Sequence, residues 1–228
     1  MIDVTAAAGT FGDPVHRLTT GAEMRVTGPA DRLAVVCVNG GQAGEVEGTW
    51  SASLEWLVRR LAPRFPEIGF AEVRYRIKSW KRMDWCVADT RAAVVETGAP
   101  RTVLLGFSMG GAVTILAAAE PTVEAVLGLA PWIPDRLPLE TLRGRRLDVL
   151  HGSLDRWLPG IPGVSANASR RGFERARALG VAGDYTLIPG ALHGIAFRAG
   201  GRTLPLPRAR TWARLVADEL GRFQATAE

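Results

Sequence analysis

The sequence predicts an α/β fold, with a mostly parallel central sheet covered by helices on both faces. Three observations support it. Short apolar runs alternate with amphipathic stretches along most of the 228 residues, which is typical of strands that alternate with helices. The apolar runs are continuous, as in strands buried on both faces. No long linker divides the chain, so we predict one domain over residues 1–228, with residues 1–30 as an N-terminal arm or edge hairpin.

The clearest predicted strand is Leu33–Val38, an apolar run that ends at Asn39-Gly40-Gly41. Residues 19–27 are a candidate arm of a hairpin at the sheet edge. Other apolar runs predict five further strands, at residues 70–77, 102–105, 123–129, 147–150 and 185–188.

Apolar residues at helical spacing predict a helix over Trp50–Leu61, which Pro63 and Pro66 end. Similar patterns predict four more helices between and after the strands, at residues 87–95, 109–119, 173–179 and 211–223.

The composition excludes several classes of protein. Hydrophobic residues make up 47% and charged residues 22% of the chain, which excludes a disordered protein. No apolar run approaches the roughly 18 residues that span a bilayer, and the first residues lack the pattern of a secretory signal. Cys37 and Cys86 are too few for a disulfide framework or a four-cysteine zinc site. We therefore expect two buried thiols in a cytoplasmic protein.

The net charge is +5, and the sequence pI is about 10.0. The densest basic group is Arg143, Arg145 and Arg146, and a smaller one is Arg170 and Arg171. Because no nucleic-acid motif accompanies them, we interpret them as solvated surface and expect no nucleic-acid partner.

The strongest local signal is the segment 106–111, GFSMGG, which fits the pattern G-x-S-x-G. It follows a predicted strand and opens a predicted helix, which is the context that this motif requires. A tight strand-to-helix turn exposes the hydroxyl of Ser108, and glycines on either side relieve crowding against the backbone. The pattern therefore predicts Ser108 as a nucleophile.

A serine nucleophile needs a base, and the chain has three histidines. His193 lies in a loop after the last predicted strand, from which it can reach over the serine. His16 lies in the N-terminal arm, where we expect a surface role. His151 ends a strand four residues before a candidate acid, and we expect it to be a structural residue or to lie behind the catalytic residues rather than act as the base.

The base in turn needs a carboxylate that fixes its tautomer. Asp155 follows the fifth predicted strand, and the order Ser108, Asp155, His193 is the order of nucleophile, acid and base in α/β hydrolases. Asp135, after the preceding strand, is the rival acid. Two more aspartates begin strands at the opposite edge of the sheet and are interpreted as exposed edge charges, Asp148 and Asp184.

An oxyanion needs two backbone donors. We predict that the first is the amide of Met109, directly after the serine. The second should come from the loop after the first buried strand, where Gly41 is the first choice and Gln42 the next.

Together these residues resemble the α/β-hydrolase superfamily over residues 30–223, most closely its small lidless esterases and dienelactone-hydrolase-like proteins. Three segments carry the resemblance, at residues 106–110, 151–159 and 192–194. The resemblance implies hydrolysis of a carboxylic ester or thioester through an acyl-enzyme, with a small acyl substrate and no cofactor or metal. Two departures stand out. Asn39-Gly40 replaces a common His-Gly pair, and Ser108 stands where dienelactone hydrolases have cysteine, which argues against the same substrate.

The predicted site is open, because only about 15 residues separate the fourth and fifth strands, too few for a helical cap. Tryptophans near four strand ends suggest an aromatic rim, formed by Trp50, Trp80, Trp132 and Trp157. We expect Trp132, Trp157 and Gln42 to contact substrate, and Arg76 is a candidate for steering an anionic one.

Two other functions remain open at this point. The same fold carries out acyl transfer, cyclisation or thioester release in biosynthesis. It also serves as a non-catalytic binding protein, since a fold alone does not fix an activity.

Overall fold

The computed structural model describes residues 14–155 and 163–225. Its twelve described strands are β1 His16–Arg17, β2 Glu23–Thr27, β3 Leu33–Val38, β4 Val46–Glu47, β5 Ile68–Arg74, β6 Ile77–Lys78, β7 Arg101–Phe107, β8 Val123–Leu129, β9 Arg146–Gly152, β10 Tyr185–Ile188, β11 Ala196–Ala199 and β12 Arg202–Pro205. Its described α-helices are α1 Ala52–Leu61, α2 Met83–Thr97, α3 Met109–Ala117, α4 Ala166–Ala178 and α5 Ala209–Ala225.

Eight strands form one central sheet in the order β1-β2-β5-β3-β7-β8-β9-β10. The six strands from β5 to β10 in this order are parallel, and β1 and β2 add an antiparallel hairpin at one edge. The carboxyl ends of the parallel strands therefore meet at one edge of the sheet, where ligands bind in open α/β folds. The predicted, mostly parallel sheet is confirmed.

Helices cover both faces of the sheet. Alternate residues of β3 point to opposite faces, so Val36 and Val38 join one core cluster, whereas Val35 and Cys37 join the other. The first cluster includes residues of α2, α3 and α4, and the second includes residues of α1 and α5. This arrangement explains the continuous apolar runs, because each central strand is buried on both sides.

The elements differ from the predictions mainly at their ends. Strands β3, β8 and β10 have the predicted bounds, whereas α2 and α4 begin earlier than predicted. The predicted strand over residues 70–77 ends at Arg74, and the short β6 pairs with β4 in a separate two-stranded sheet. The hairpin of β11 and β12, directly after the loop of His193, was not predicted.

The connection from β8 to β9 contains only a 3-10 turn, Glu140–Leu142, so no helical cap is inserted there. None of the helices within residues 14–155 and 163–225 is both long and apolar enough to cross a membrane.

The prediction for Asp148 is wrong. Its side chain is buried inside the sheet, where it accepts hydrogen bonds from the guanidinium of Arg146 at 2.6 and 2.7 Å and from the amide of Asp184 at 2.9 Å. The strand begins two residues before Asp148, so this position is interior and the neighbouring arginine compensates its charge. Asp184 is exposed, as predicted.

Candidate active site

Ser108 lies at the sharp junction between β7 and α3. Its backbone has φ 57° and ψ −120°, a conformation that costs a non-glycine residue about 1–3 kcal/mol. Backbone hydrogen bonds hold it there: the Ser108 amide donates to the carbonyl of Leu129 at 3.0 Å, and its carbonyl accepts from the amides of Gly111 and Trp132, both at 2.9 Å. The backbone of the serine is thus fixed at the carboxyl edge of the sheet.

The two glycines of the elbow are sterically required. A Cβ at Gly106 would lie 2.5 Å from the carbonyl oxygen of Gly110 and equally close to Oγ1 of Thr114. A Cβ at Gly110 would lie 2.3 Å from the carbonyl oxygen of Val38. Helix α3 therefore packs against β7 and β3 at a distance that only glycine permits, as the sequence pattern predicts.

The three residues predicted as nucleophile, base and acid form one hydrogen-bonded chain. Nε2 of His193 lies 3.1 Å from Oγ of Ser108, and Nδ1 of His193 lies 2.7 Å from Oδ2 of Asp155. The Asp155 side chain is fully buried, and that of His193 is 12% exposed. Asp135, the rival acid, is exposed on the loop after β8, and His16 lies in the edge strand β1.

The carboxylate of Asp155 has two further neighbours. Its Oδ1 accepts a hydrogen bond from the amide of Val164 at 3.0 Å, and Nε2 of His151 lies 3.0 Å from its Oδ2. Burial acts to raise the pKa of Asp155, but hydrogen bonds from His151 and His193 outweigh it and leave this pKa below the usual value. The carboxylate is therefore kept ionised in a buried position.

Two serine side chains hold the loop of His193 at its ends. Before His193, the amide of Gly190 donates to Oγ of Ser153 at 2.9 Å. After it, Oγ of Ser53 accepts from the amides of Ile195 and Ala196 at 3.1 and 3.2 Å and donates to the carbonyl of Ala196 at 3.1 Å. The first turn of α1 thus positions the loop that carries the imidazole.

The loop after β3 passes directly over the serine. A Cβ at Gly40 would lie 3.2 Å from Cβ of Ser108, and one at Gly41 would lie 3.1 Å from Cβ of Met109. Met109 is the first residue of α3, and the first amides of a helix have no acceptor within the helix. Gly41 and Met109, the two predicted backbone donors, therefore lie next to each other at the elbow.

Two tryptophans lie beside this loop. The rings of Trp80 and Trp132 meet edge to face with centroids 4.6 Å apart, and a Cβ at Gly41 would lie 3.0 Å from the Trp80 ring. Gln42 is exposed, and its carbonyl accepts from the amide of Trp80 at 3.0 Å. Trp157, the other predicted substrate contact, lies outside the described residues. Trp80 and Trp132 are thus the aromatic pair on this side of the elbow.

Trp50 of the predicted rim and Arg76, the candidate for steering an anionic substrate, contact other residues. Trp50 packs against the guanidinium of Arg25, which lies 4.5 Å from its ring centroid. Arg76 donates from Nε to Oδ1 of Asp89 at 2.8 Å. The charge of Arg76 is therefore balanced by a buried carboxylate, which leaves it less able to steer an anionic substrate.

The sequence matches no protein-family model and no curated protein, but many solved structures resemble this one. An α/β serine hydrolase homologue from Coxiella burnetii has a TM-score of 0.66 at 15% identity, over 94% of this chain and all of that chain. A dienelactone hydrolase from Anabaena variabilis has 0.62 at 18%, over 90% and 95%. A thermophilic esterase from the planctomycete Thermogutta terrifontis has 0.61 at 19%, over 92% and 91%.

The chain has the α/β-hydrolase fold. The coverage is nearly complete on both sides, so the likeness extends over the sheet and the helices together. The fold class predicted from the strand pattern and the elbow is confirmed.

Within this α/β-hydrolase fold, the two thiols are not candidate nucleophiles. Cys37 and Cys86 are both free and buried, as predicted. Burial raises the pKa of Cys86 to about 11 and that of Cys37 well above the usual value, so neither is a thiolate near neutral pH. Among the described residues, no cluster of three or more histidine, cysteine or acidic side chains is suited to hold a metal ion.

Sequence reasoning missed two contributors to this site. Ser53 follows Ser51, the residue whose side chain caps α1, and one serine in a helix gives no sign that it binds a distant loop. The hairpin after His193 did leave a signal, because Gly200 and Gly201 both have positive φ and form its two-residue turn. In this chain the position of the base thus depends on contacts between segments that are distant in the sequence.

Proposed function

We propose that this protein is a serine hydrolase that cleaves a carboxylic ester or thioester through an acyl-enzyme intermediate. The observation that carries the proposal is the hydrogen-bonded chain from Asp155 through His193 to Ser108, with the serine on a strained elbow. A hydroxyl is a weak nucleophile, and an adjacent imidazole held by a buried carboxylate is the arrangement that activates it.

In the proposed acylation, Oγ of Ser108 forms a bond to the acyl carbon while Nε2 of His193 takes the hydroxyl proton. The carbonyl oxygen becomes an oxyanion in the tetrahedral intermediate. When the intermediate collapses, the bond from carbon to the leaving oxygen or sulfur breaks, and His193 returns the proton to the leaving alcohol or thiol. Asp155 stabilises the imidazolium formed between these two transfers.

Deacylation repeats these steps with water. His193 takes a proton from a water molecule, whose oxygen attacks the acyl carbon. The ester bond to Ser108 then breaks, the serine regains the proton from His193, and the carboxylic acid departs. No oxidant, reductant or metal is needed to balance either half-reaction.

The amides of Gly41 and Met109 are the proposed donors to the oxyanion in both halves. Their positions beside Ser108 support this role, and one such donor is worth about 10²–10³-fold in kcat. We propose Trp132, with Trp80 at its edge, as an apolar wall for the acyl or alcohol group, and Gln42 and Trp157 as further substrate contacts. With no inserted cap between β8 and β9, the site admits substrate from the open edge of the sheet.

The structural relatives support the same class of reaction. One is a serine hydrolase homologue, one a dienelactone hydrolase and one an esterase. The fully buried thiols of this chain favour serine over cysteine chemistry. We also propose a cytoplasmic location, because the two cysteines are unpaired.

The test uses a fluorophosphonate probe and a panel of aryl and alkyl esters of rising acyl length. We expect covalent labelling of Ser108 and a loss of about 10³-fold or more in turnover in Ser108→Ala. Ser165→Ala, at the exposed start of α4, is the matched control and should retain activity. A Ser108→Ala variant with near wild-type turnover would overturn the assignment.

Product analysis separates hydrolysis from its alternatives. Release of the free acid supports a hydrolase, whereas transfer of the acyl group to an added alcohol or amine in preference to water supports an acyl transferase. A folded wild-type protein without a Ser108 adduct would instead favour a binding role.

A further inference from the structure

His151, at the end of β9, has no part in the proposed reaction, yet it contacts the acid directly. Its side chain is fully buried. Its Nε2 lies 3.0 Å from Oδ2 of Asp155 and 3.0 Å from the carbonyl oxygen of Val164. The same Oδ2 lies 2.7 Å from Nδ1 of His193. One carboxylate oxygen therefore lies between two imidazoles.

The neighbours of His151 fix the position of its proton. Both groups near Nε2 are acceptors, a carboxylate oxygen and a carbonyl oxygen, so Nε2 must carry hydrogen and donate it. The other ring nitrogen, Nδ1, is buried and has no hydrogen-bond partner within the described parts of the chain. The geometry thus selects the tautomer that has its proton on Nε2.

We propose that His151 is a positioning residue that holds the carboxylate of Asp155 in line with His193. The Nε2–H of His151 binds Oδ2 from one side, and the amide of Val164 binds Oδ1 at 3.0 Å. With both oxygens held, the carboxylate cannot rotate away from Nδ1 of His193. The inference rests on the proposed function, since it assigns a role within that site.

The burial of Asp155 explains why a second donor is needed. A buried carboxylate that lacks hydrogen bonds is costly, and it reduces this cost by taking up a proton. Hydrogen bonds from both histidines keep the pKa of Asp155 below its usual value despite burial. Loss of the His151 donor raises this pKa, so the ionised form, which is present at high pH, is lost at a higher pH than before as the solution is acidified.

Within the described parts of the chain, Tyr185 and Arg170 are the other ionisable residues placed near His151 by ring contacts. The ring stacks on Tyr185, with centroids 6.3 Å apart and planes 12° from parallel. The Tyr185 hydroxyl donates to the carbonyl of Ala166 at 2.9 Å, and the guanidinium of Arg170 lies 4.2 Å from the centroid of the Tyr185 ring. Among the described residues, Asp155 is the ionisable group that this imidazole contacts at hydrogen-bond distance, whereas His193 is reached through Asp155 and Arg170 through Tyr185.

The first experiment compares His151→Leu, which removes the donor, with His151→Gln, whose amide nitrogen can occupy the place of Nε2. We expect His151→Leu to lose about 10- to 100-fold in kcat, the effect of one hydrogen bond to a charged group, with KM within about twofold. When activity of this variant is plotted against pH, the acid limb of the profile should move to higher pH. His151→Gln should restore most of kcat and the wild-type acid limb.

Thermal unfolding of both variants separates this role from a general loss of stability. A structural role alone would lower both variants' activity in proportion to unfolded protein and leave the pH profile unchanged. Equal kcat and equal acid limbs in His151→Leu and wild type would overturn the inference.

A second experiment needs no activity, and its result is measured on the wild-type protein. The chain has three histidines, so ¹⁵N labelling of histidine gives a simple spectrum, assigned with His16→Gln and His151→Gln. We expect His151 to have its proton on Nε2 and a bare Nδ1 at pH 7. A proton on Nδ1 with a bare Nε2 would overturn the inference.

These measurements also distinguish the proposed function from the positioning role of His151. If wild-type Ser108 fails to react with fluorophosphonate, the proposed function fails, and the tautomer measurement still tests the contact of His151. If Ser108 reacts and turns over substrate while His151→Leu behaves as wild type, only the positioning role fails.

Discussion

The elbow of Ser108 and the loop of His193 lie 3.1 Å apart at their reacting atoms, but different forces fix them. The elbow is held by its own backbone and by two glycines that permit close packing of α3 on the sheet. The histidine loop is held by side chains from distant parts of the chain, including Ser53, 142 residues before Ile195. Local sterics thus place the nucleophile, whereas long-range hydrogen bonds place the base.

A buried carboxylate extends the second mechanism beyond the loop. Glu55 lies two residues after Ser53 on α1. It accepts hydrogen bonds from Arg198 and Thr203 of the following hairpin, both at 3.0 Å, and from Arg25 of β2 at 3.1 Å. Burial acts to raise the pKa of Glu55, but these donors outweigh it and lower the pKa below its usual value. Helix α1 therefore anchors both the end of the loop and the hairpin after it.

The largest effect is expected from the carboxylate that supports His193 opposite the elbow. Asp155→Asn preserves the shape of the acid but removes the charge that supports the imidazolium. We expect a loss of about 10³- to 10⁴-fold in kcat, measured with the best ester of the panel.

Asp135→Asn is the matched control, because this exposed aspartate was the rival acid in the sequence. It should retain wild-type kcat. Comparable losses in the two variants, or a larger loss in Asp135→Asn, would contradict the assignment of Asp155.

The next effect tests the local sterics of the elbow. In Gly110→Ala the new Cβ would meet the carbonyl oxygens of Val38 and Asn39 at 2.3 and 2.6 Å. Because both obstacles are backbone atoms, α3 must move away from the sheet, and we expect a loss of about 3 kcal/mol in the free energy of unfolding. Denaturant titration measures it.

Gly221→Ala provides the opposite case. Gly221 lies within α5, and a Cβ there meets no atom within 4 Å, so alanine should stabilise the protein by about 0.5–1 kcal/mol through helix propensity. If Gly110→Ala is as stable as Gly221→Ala, close packing does not fix the elbow.

The same contrast explains what the sequence could predict. Continuous apolar runs identified β3 and β8 with their observed bounds, since strands buried on both faces need no information from elsewhere in the chain. The bounds of β10, a partly exposed strand at the edge of the sheet, were also predicted. The elbow and the order of Ser108, Asp155 and His193 also follow from local patterns. The start of α4 does not follow from such a pattern, because this helix begins in the polar segment 166–172, where apolar spacing gives no helical signal.

Charged residues inside the fold were the hardest to predict. Asp148 looked like an edge charge because its partner, Arg146, is recognisable only when the strand bounds are known. The hairpin of β11 and β12 is mostly exposed and is bound through Glu55, so it lacks the buried apolar runs that identified the central strands. In each case the decisive contact joins residues whose neighbourhood the linear sequence does not give.

The smallest expected effect tests the long-range anchor itself. Ser53→Ala removes one buried hydroxyl that donates one hydrogen bond and accepts two, and leaves the amides of Ile195 and Ala196 without their acceptor. The His193 loop then samples positions in which Nε2 lies farther from Ser108, so we expect about a tenfold loss in kcat with an unchanged KM.

Ser51→Ala separates this effect from a weaker helix. Ser51 caps the same helix through Leu54 but does not contact the histidine loop, so its loss should lower stability by about 1 kcal/mol and leave kcat unchanged. Equal kcat losses in Ser51→Ala and Ser53→Ala would mean that α1 supports the site through its stability alone. A loss confined to Ser53→Ala means that a hydroxyl on α1 sets the position of an imidazole 140 residues later. The base would then depend on a long-range hydrogen bond, whereas the nucleophile depends on the local packing of its elbow.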